Sequence, residues 1–216
     1  IMPKIKIPKK SPSLDMTPMV DLAFLLVTFF MLTTKFRPDE PVIVDTPASV
    51  STKILPENTL QVTIDSAGRV FFNIEGQNVR RNLMTRISEK YKFQLTEQDL
   101  KKFSLMSTFG MPADKIKAYL EAPDSERKKM DKATGGIPIE TLNNQLADWI
   151  VYGWTAAISD EAYEARKQAG NELRFAIKGD GRVDYTYIKR VIEIFQQNKI
   201  NRFNLITNLQ ATPVQE

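Results

Sequence analysis

One carboxylate, Asp21, stands inside the most apolar stretch of this 216-residue chain, Pro18-Met-Val-Asp-Leu-Ala-Phe-Leu-Leu-Val-Thr-Phe-Phe-Met-Leu-Thr-Thr34. An ionisable side chain at the centre of a bilayer costs about 3 kcal/mol or more, so where one occurs it usually marks a path for ions or protons. The helical repeat sets Thr17, Asp21, Leu25, Thr28 and Leu32 near one face, which makes a polar stripe on a lipid-compatible helix. Against a protein interface with limited water, Asp21 is expected to alternate between protonated and ionised forms, because loss of water disfavours a charged carboxyl. Thr28 is a candidate hydrogen-bond donor to it or to an ordered water, and Thr17 a candidate support. Two plainer readings stand beside this one: an Asp that bridges helices for assembly alone, and an Asp that marks the interfacial end of a shorter helix. The second is opposed by length, since residues 22–32 alone are too few to span.

Other chemistry is sparse. The chain has no Cys and no His, which removes thiol nucleophiles, imidazole bases and most zinc sites. No enzyme, cofactor or metal site is expected. Asp180-Gly-Arg-Val-Asp184 lacks the dense oxygen ligands of a calcium loop and reads as a turn followed by a helix cap. Gly135-Gly136 precedes no Lys-Ser/Thr phosphate cradle. A net charge of +4 and a pI near 9.1 do not point to nucleic acid. Lys4, Lys6, Lys9 and Lys10 crowd the N-terminus, where anionic headgroups explain them, and the remaining charges are mixed in sign.

The elements that must position Asp21 follow from the apolar pattern. Residues 16–34 carry one charge and are just long enough to cross about 30 Å of hydrocarbon. With mean hydropathy at −0.30, a single span is the most the chain supports. The segment ends without a small-residue cleavage site, so a retained anchor is expected rather than a signal peptide. The lysine bias puts residues 1–15 in the cytoplasm and everything after residue 35 on the far side of the membrane, which in a Gram-negative bacterium is the periplasm. Prolines at 38, 41, 47 and 56 make 35–57 an extended linker, in which Val42, Ile43 and Val44 form a candidate edge strand for a partner or a second copy.

Beyond the linker, alternation over 59–65 and 70–74 about a Ser66-Ala-Gly68 turn predicts a hairpin, and 79–93 has helical spacing. Residues 173–178 read as a strand, Asp184 caps a helix carrying Ile188, Val191, Ile192 and Phe195, and 203–207 closes as a strand. The expected soluble domain is α+β, built from 58–93 and 172–209 as a small sheet with helices on one face. Residues 94–171 read as a helical insertion. Within it, Thr96-Glu-Gln-Asp99 is a capping box, Pro112 and Pro138 are first-turn prolines, and one helix runs from Ile139 to Ile158. Its half Trp149–Trp154 is apolar nearly all round, which suits core, a partner contact or a membrane-surface contact. Residues 210–216 are a tail.

The order basic tail, Asp15-Met-Thr-Pro-Met-Val-Asp21, apolar helix, then Val42-Ile-Val-Asp-Thr-Pro-Ala-Ser49 resembles the ExbD/TolR family of bacterial inner-membrane energy transducers. Ile64-Asp-Ser-Ala-Gly-Arg-Val-Phe-Phe-Asn73 is similar to that family's first hairpin, and Ala176-Ile-Lys-Gly-Asp-Gly-Arg-Val-Asp-Tyr185 with Phe203–Thr207 to its last strand, helix and strand. The resemblance implies that Asp21 matches the family's proton-carrying carboxylate. It implies two copies of the helix inside a pentameric ExbB-like ring, with proton-driven motion passed to a TonB-like protein that opens outer-membrane transporters. The alternative it leaves is a TolR-like tethered adaptor that binds peptidoglycan or a Tol/TonB-like partner, with Asp21 mainly structural. The segment 94–171 departs from the compact members of the family.

Overall fold

The structure, a computed structural model, describes residues 16–33, 44–46, 48–49, 58–206 and 208–209. It divides into two compact units, residues 1–37 and 38–216.

The first unit holds one helix, α1 (Thr17–Thr33). At 1.5 Å per residue its 17 residues rise about 25 Å. No helix among the described residues is long and apolar enough to cross a membrane, so the expected span over 16–34 is seen as this shorter helix. Met16 lies just outside it, and Thr34 falls outside the described residues. Pro18 occupies the first turn, where its missing N–H costs nothing. Every residue of α1 is exposed within the chain, with Phe24, Leu25, Phe29 and Phe30 all more than half accessible.

The second unit is a mixed sheet backed by helices. Four strands, β2 (Thr59–Ile64), β3 (Val70–Ile74), β4 (Arg174–Gly179) and β5 (Asn204–Ile206), lie in the order β3-β2-β4-β5. β2 and β3 form the expected antiparallel hairpin, with Leu60 opposite Ile74 and Ile64 opposite Val70. β4 joins β2 in parallel, Val62 opposite Ile177, and β5 joins β4 in parallel. A separate two-residue pair, β1 (Ala48–Ser49) with β6 (Asn208–Leu209), is also parallel. The linker's strand pairing thus falls at 48–49, while Val44 lies outside any strand; Val42 and Ile43 are outside the described residues.

Period-two alternation puts Leu60, Val62, Ile64, Val70, Phe72, Ile74 and Ile177 on one face, and all of them are buried in one core. α2 (Gln77–Tyr91) lays Val79, Leu83, Met84 and Ile87 into that core, and α8 (Tyr185–Gln197) adds Val191, Ile194 and Phe195. Asp184 caps α8 as expected, accepting from the Thr186 N–H at 2.8 Å. The opposite face is not bare: Phe71 is 1% exposed, under the Arg69 guanidinium 5.8 Å from its ring.

Segment 94–171 differs from the uninterrupted helical region its sequence suggested. It holds α3 (Glu97–Leu105), a 3-10 turn (Ala113–Lys115), α4 (Ile116–Glu121), α5 (Asp124–Ala133), α6 (Gln145–Ile158) and α7 (Tyr163–Gln168). The loops before Ala113 and after Ala133 form isolated β-bridges to β3. Thr96 does make the capping box with Asp99. Pro112, however, precedes the 3-10 turn as its cap residue, and Pro138 heads no helix. The long helix starts at Gln145 because Asn144 takes the cap position and accepts from the Ala147 N–H. The Pro138 carbonyl meanwhile takes the Gln145 and Leu146 N–H groups. Leu142, counted in the helical pattern, is fully exposed at the loop tip.

Segment 94–171 does not form a separate layer. α6 packs against α2, α8 and β2, and its Trp149 is fully buried among Phe72, Phe103 and Phe109, with ring centroids 5.0–6.2 Å apart. Gly153 admits this approach, since a Cβ there would stand 2.8 Å from the Phe72 ring.

Candidate functional site

α1 places the predicted residues as the helical repeat requires. Thr17, Asp21 and Thr28 fall within about 40° of arc on one side, at roughly 100° per residue. The apolar side chains of Phe24, Leu26, Val27 and Phe30 occupy the rest of the surface. Thr28 and Asp21 are two turns apart, about 10 Å along the axis. The Thr28 hydroxyl donates back to the Phe24 carbonyl at 2.8 Å and the Leu25 carbonyl at 3.0 Å, so it serves its own helix rather than Asp21. Thr33 does the same to Phe29 at 2.8 Å. Such back-bonding lets a hydroxyl sit on an apolar helix without an unpaired polar group. Asp21 remains the one formally charged side chain of α1.

In the second unit, the polar residues that organise structure lie at the carboxyl ends of the parallel strands β2 and β4. Asp65 and Asp180 follow these strands, and each is 3% exposed. Each carboxylate serves a turn that ends in Gly-Arg, Asp65-Ser-Ala-Gly-Arg69 and Asp180-Gly-Arg182. Asp65 accepts from the Ala67 and Arg69 N–H groups and from Arg69 Nε at 2.6 Å. Asp180 accepts from the Arg182 N–H at 3.0 Å and from its guanidinium at 3.1 and 3.3 Å. The Arg182 hydrogen bonds hold the Asp180 carboxyl down at about 2. Sequence spacing found the Asp180 turn and the Asp184 cap, but not what the turn grips. Asp180 Oδ2 accepts from the Asp45 N–H at 3.2 Å, and the Asp45 carbonyl accepts from the Gly181 N–H at 2.8 Å. Val44 and Thr46 on either side are 8% and 6% exposed. Val44, read as part of a docking strand, is thus packed into the domain beside this clasp.

Arg69 is a second residue that spacing alone did not single out. Its Nη1 donates to the Asp131 and Lys132 carbonyls at 2.9 and 3.1 Å, so the hairpin caps the last turn of α5, where carbonyls lack helical partners. Asp131 is buried beside Tyr119 and Arg127, and burial pushes both the Asp131 carboxyl and the Tyr119 hydroxyl up. The only sequence signal for this contact is the Asp-Ser-Ala-Gly-Arg turn itself; its partner lies 62 residues away. Among the described residues, no group of His, Cys, Asp and Glu side chains is placed to hold a metal ion.

A lone carboxylate on an apolar helix, followed in sequence by a small mixed sheet with helices, defines a class of helix-bearing α+β proteins. The chain belongs to the ExbD/TolR family: the model of the biopolymer transport protein ExbD/TolR matches residues 8–122, more than half of its length. The match takes in α1, the hairpin, α2, α3 and α4, and so runs past residue 93, where the resemblance read from motifs paused. Neither a curated protein nor a solved structure matches the chain.

Proposed function

We propose that this chain is the proton-carrying subunit of an inner-membrane energy transducer, acting inside an ExbB-like pentameric ring together with a second copy of itself. The observation that carries the reading is Asp21, the one charged side chain on an otherwise apolar helix, within the segment matched by the ExbD/TolR family model. Residues 16–34 form the proposed span. A helix of about 25 Å is short for free bilayer, and a ring of partner helices, or local thinning of the bilayer, accommodates that mismatch at modest cost. In such a ring Asp21 takes a proton from one side and yields it to the other, while the surrounding apolar side chains keep bulk water out. The membrane potential does about 2.3 kcal/mol of work per charge per 100 mV, so a few protons per cycle suffice for a sizeable rearrangement.

In this reading the N-terminal tail is cytoplasmic and the α+β unit periplasmic, where it hands motion to a TonB-like protein that opens outer-membrane transporters. The role is non-enzymatic. The test is Asp21→Asn, which keeps size and hydrogen bonding while removing ionisation. Cells that carry only this variant are expected to lose energy-dependent uptake while the membrane complex still assembles. Normal uptake would favour a TolR-like tether that grips peptidoglycan or a Tol-like partner.

A further inference from the structure

We infer that two loops of segment 94–171, around Phe109 and Gly136, close the outer edge of β3 through isolated bridges, so that no second copy of the chain can pair there. β3 reads Val70-Phe-Phe-Asn-Ile74, an apolar β-prone run that, left at a sheet edge, invites edge-to-edge pairing. Four of its backbone groups are taken up by the chain itself. The Phe72 N–H donates to the Phe109 carbonyl at 2.7 Å, and the Phe72 carbonyl accepts from the Phe109 N–H at 2.8 Å. The Val70 carbonyl accepts from the Ile137 N–H at 2.8 Å, and the Ile74 carbonyl from Arg80 Nε at 2.6 Å.

Two glycines show how closely the closing loops approach. A Cβ on Gly136, whose φ is +82°, would stand 2.5 Å from the Val70 nitrogen, and one on Gly110 would stand 2.2 Å from the Phe71 ring. Any other residue at Gly136 would lift the loop off the strand. The loops are also anchored from behind. Phe109 and Ile137 are 2% and 1% exposed, and Phe109 packs edge-on to Phe103 and Tyr119 and against Trp149. The closure is therefore part of the core and does not depend on Asp21 or on membrane insertion.

The test uses the full chain in detergent micelles, with residue-resolved amide exchange and single-cysteine crosslinking, which the absence of native cysteines keeps clean. In the native chain the Phe72 amide, whose partner is Phe109, is expected to exchange as slowly as that of Val62 in the sheet interior, and Asn73→Cys is expected to give no disulfide-linked dimer. With Gly136→Val added, the Phe72 amide is expected to exchange at least about tenfold faster with Val62 unchanged, since only the edge opens, and Asn73→Cys dimers are expected to appear. Unprotected Phe72 exchange or Asn73→Cys dimers in the native background would overturn the inference. So would a folded Gly136→Val chain with unchanged exchange. Should Gly136→Val prevent folding, the two native-background measurements decide alone.

Discussion

Four N–H groups, one from Asp45 and three from Arg182, converge on the Asp180 carboxylate, which makes it the residue whose charge the α+β unit depends on most visibly. Its carboxyl sits near 2 against about 3.9 in an unfolded chain. A depressed folded value stabilises the fold fully above the unfolded value, and that contribution is lost as pH falls through the folded one. The native chain is therefore expected to lose stability between about pH 4 and pH 2 through this group, and Asp180→Asn to flatten that part of the acid limb while lowering stability at neutral pH. Urea midpoints measured from pH 5 to pH 2 check both. Because the same carboxylate holds the Asp45 N–H, Asp180→Asn is also expected to raise amide exchange at Asp45. At this scale the sequence was informative where one residue contradicts its surroundings, as Asp21 does. It was silent where meaning comes from a distant partner: nothing local ties Asp45 to Asp180, or Arg69 to the end of α5.

Elements were legible wherever pattern and capping agreed. The hairpin, α2, β4, α8 and β5 follow from alternation, helical spacing and the Asp184 cap. α6 shows how the reading slips. Ile139, Leu142 and Leu146 happen to fall at helical steps, but Asn144 competes as a cap and wins, leaving Leu142 in solvent. The energetic centre of the element is Trp149, whose ring meets three aromatics and whose Nε1 makes no hydrogen bond. Trp149→Ala is expected to cost about 3–5 kcal/mol through lost burial and a cavity. Trp149→Phe is expected to cost less than half of that, because it removes an N–H that has no partner. Chemical denaturation of the two variants side by side gives the comparison. At α3, Thr96→Ala is expected to cost about 1 kcal/mol by breaking the capping box, read from the same curves.

For the whole molecule, chain order and spatial order diverge, and this limited what the sequence told. A segment that stands apart in composition, 94–171, shares one core with the strands before and after it. β4, the parallel neighbour of β2, arrives only after α7. Truncation after residue 122, where the family match ends, is therefore expected to leave the α+β unit unfolded: it removes α6, β4 and α8 and exposes the core face of β2. Far-UV circular dichroism and limited proteolysis of that fragment report it directly. For α1 the outcome differs, since its fold is local and its meaning is not. Asp21 was identifiable from type and position alone, whereas the proton transfer proposed for it needs groups that other chains would supply.

The most direct measurement is proton flux through liposomes holding this chain and its ExbB-like ring partner, with an imposed membrane potential and a trapped pH-sensitive dye. The native complex is expected to acidify the lumen, and the complex with Asp21→Asn, assembled to the same stoichiometry, to fall to the rate of empty liposomes. Flux in the Asn variant equal to the native rate would contradict Asp21 as the proton carrier.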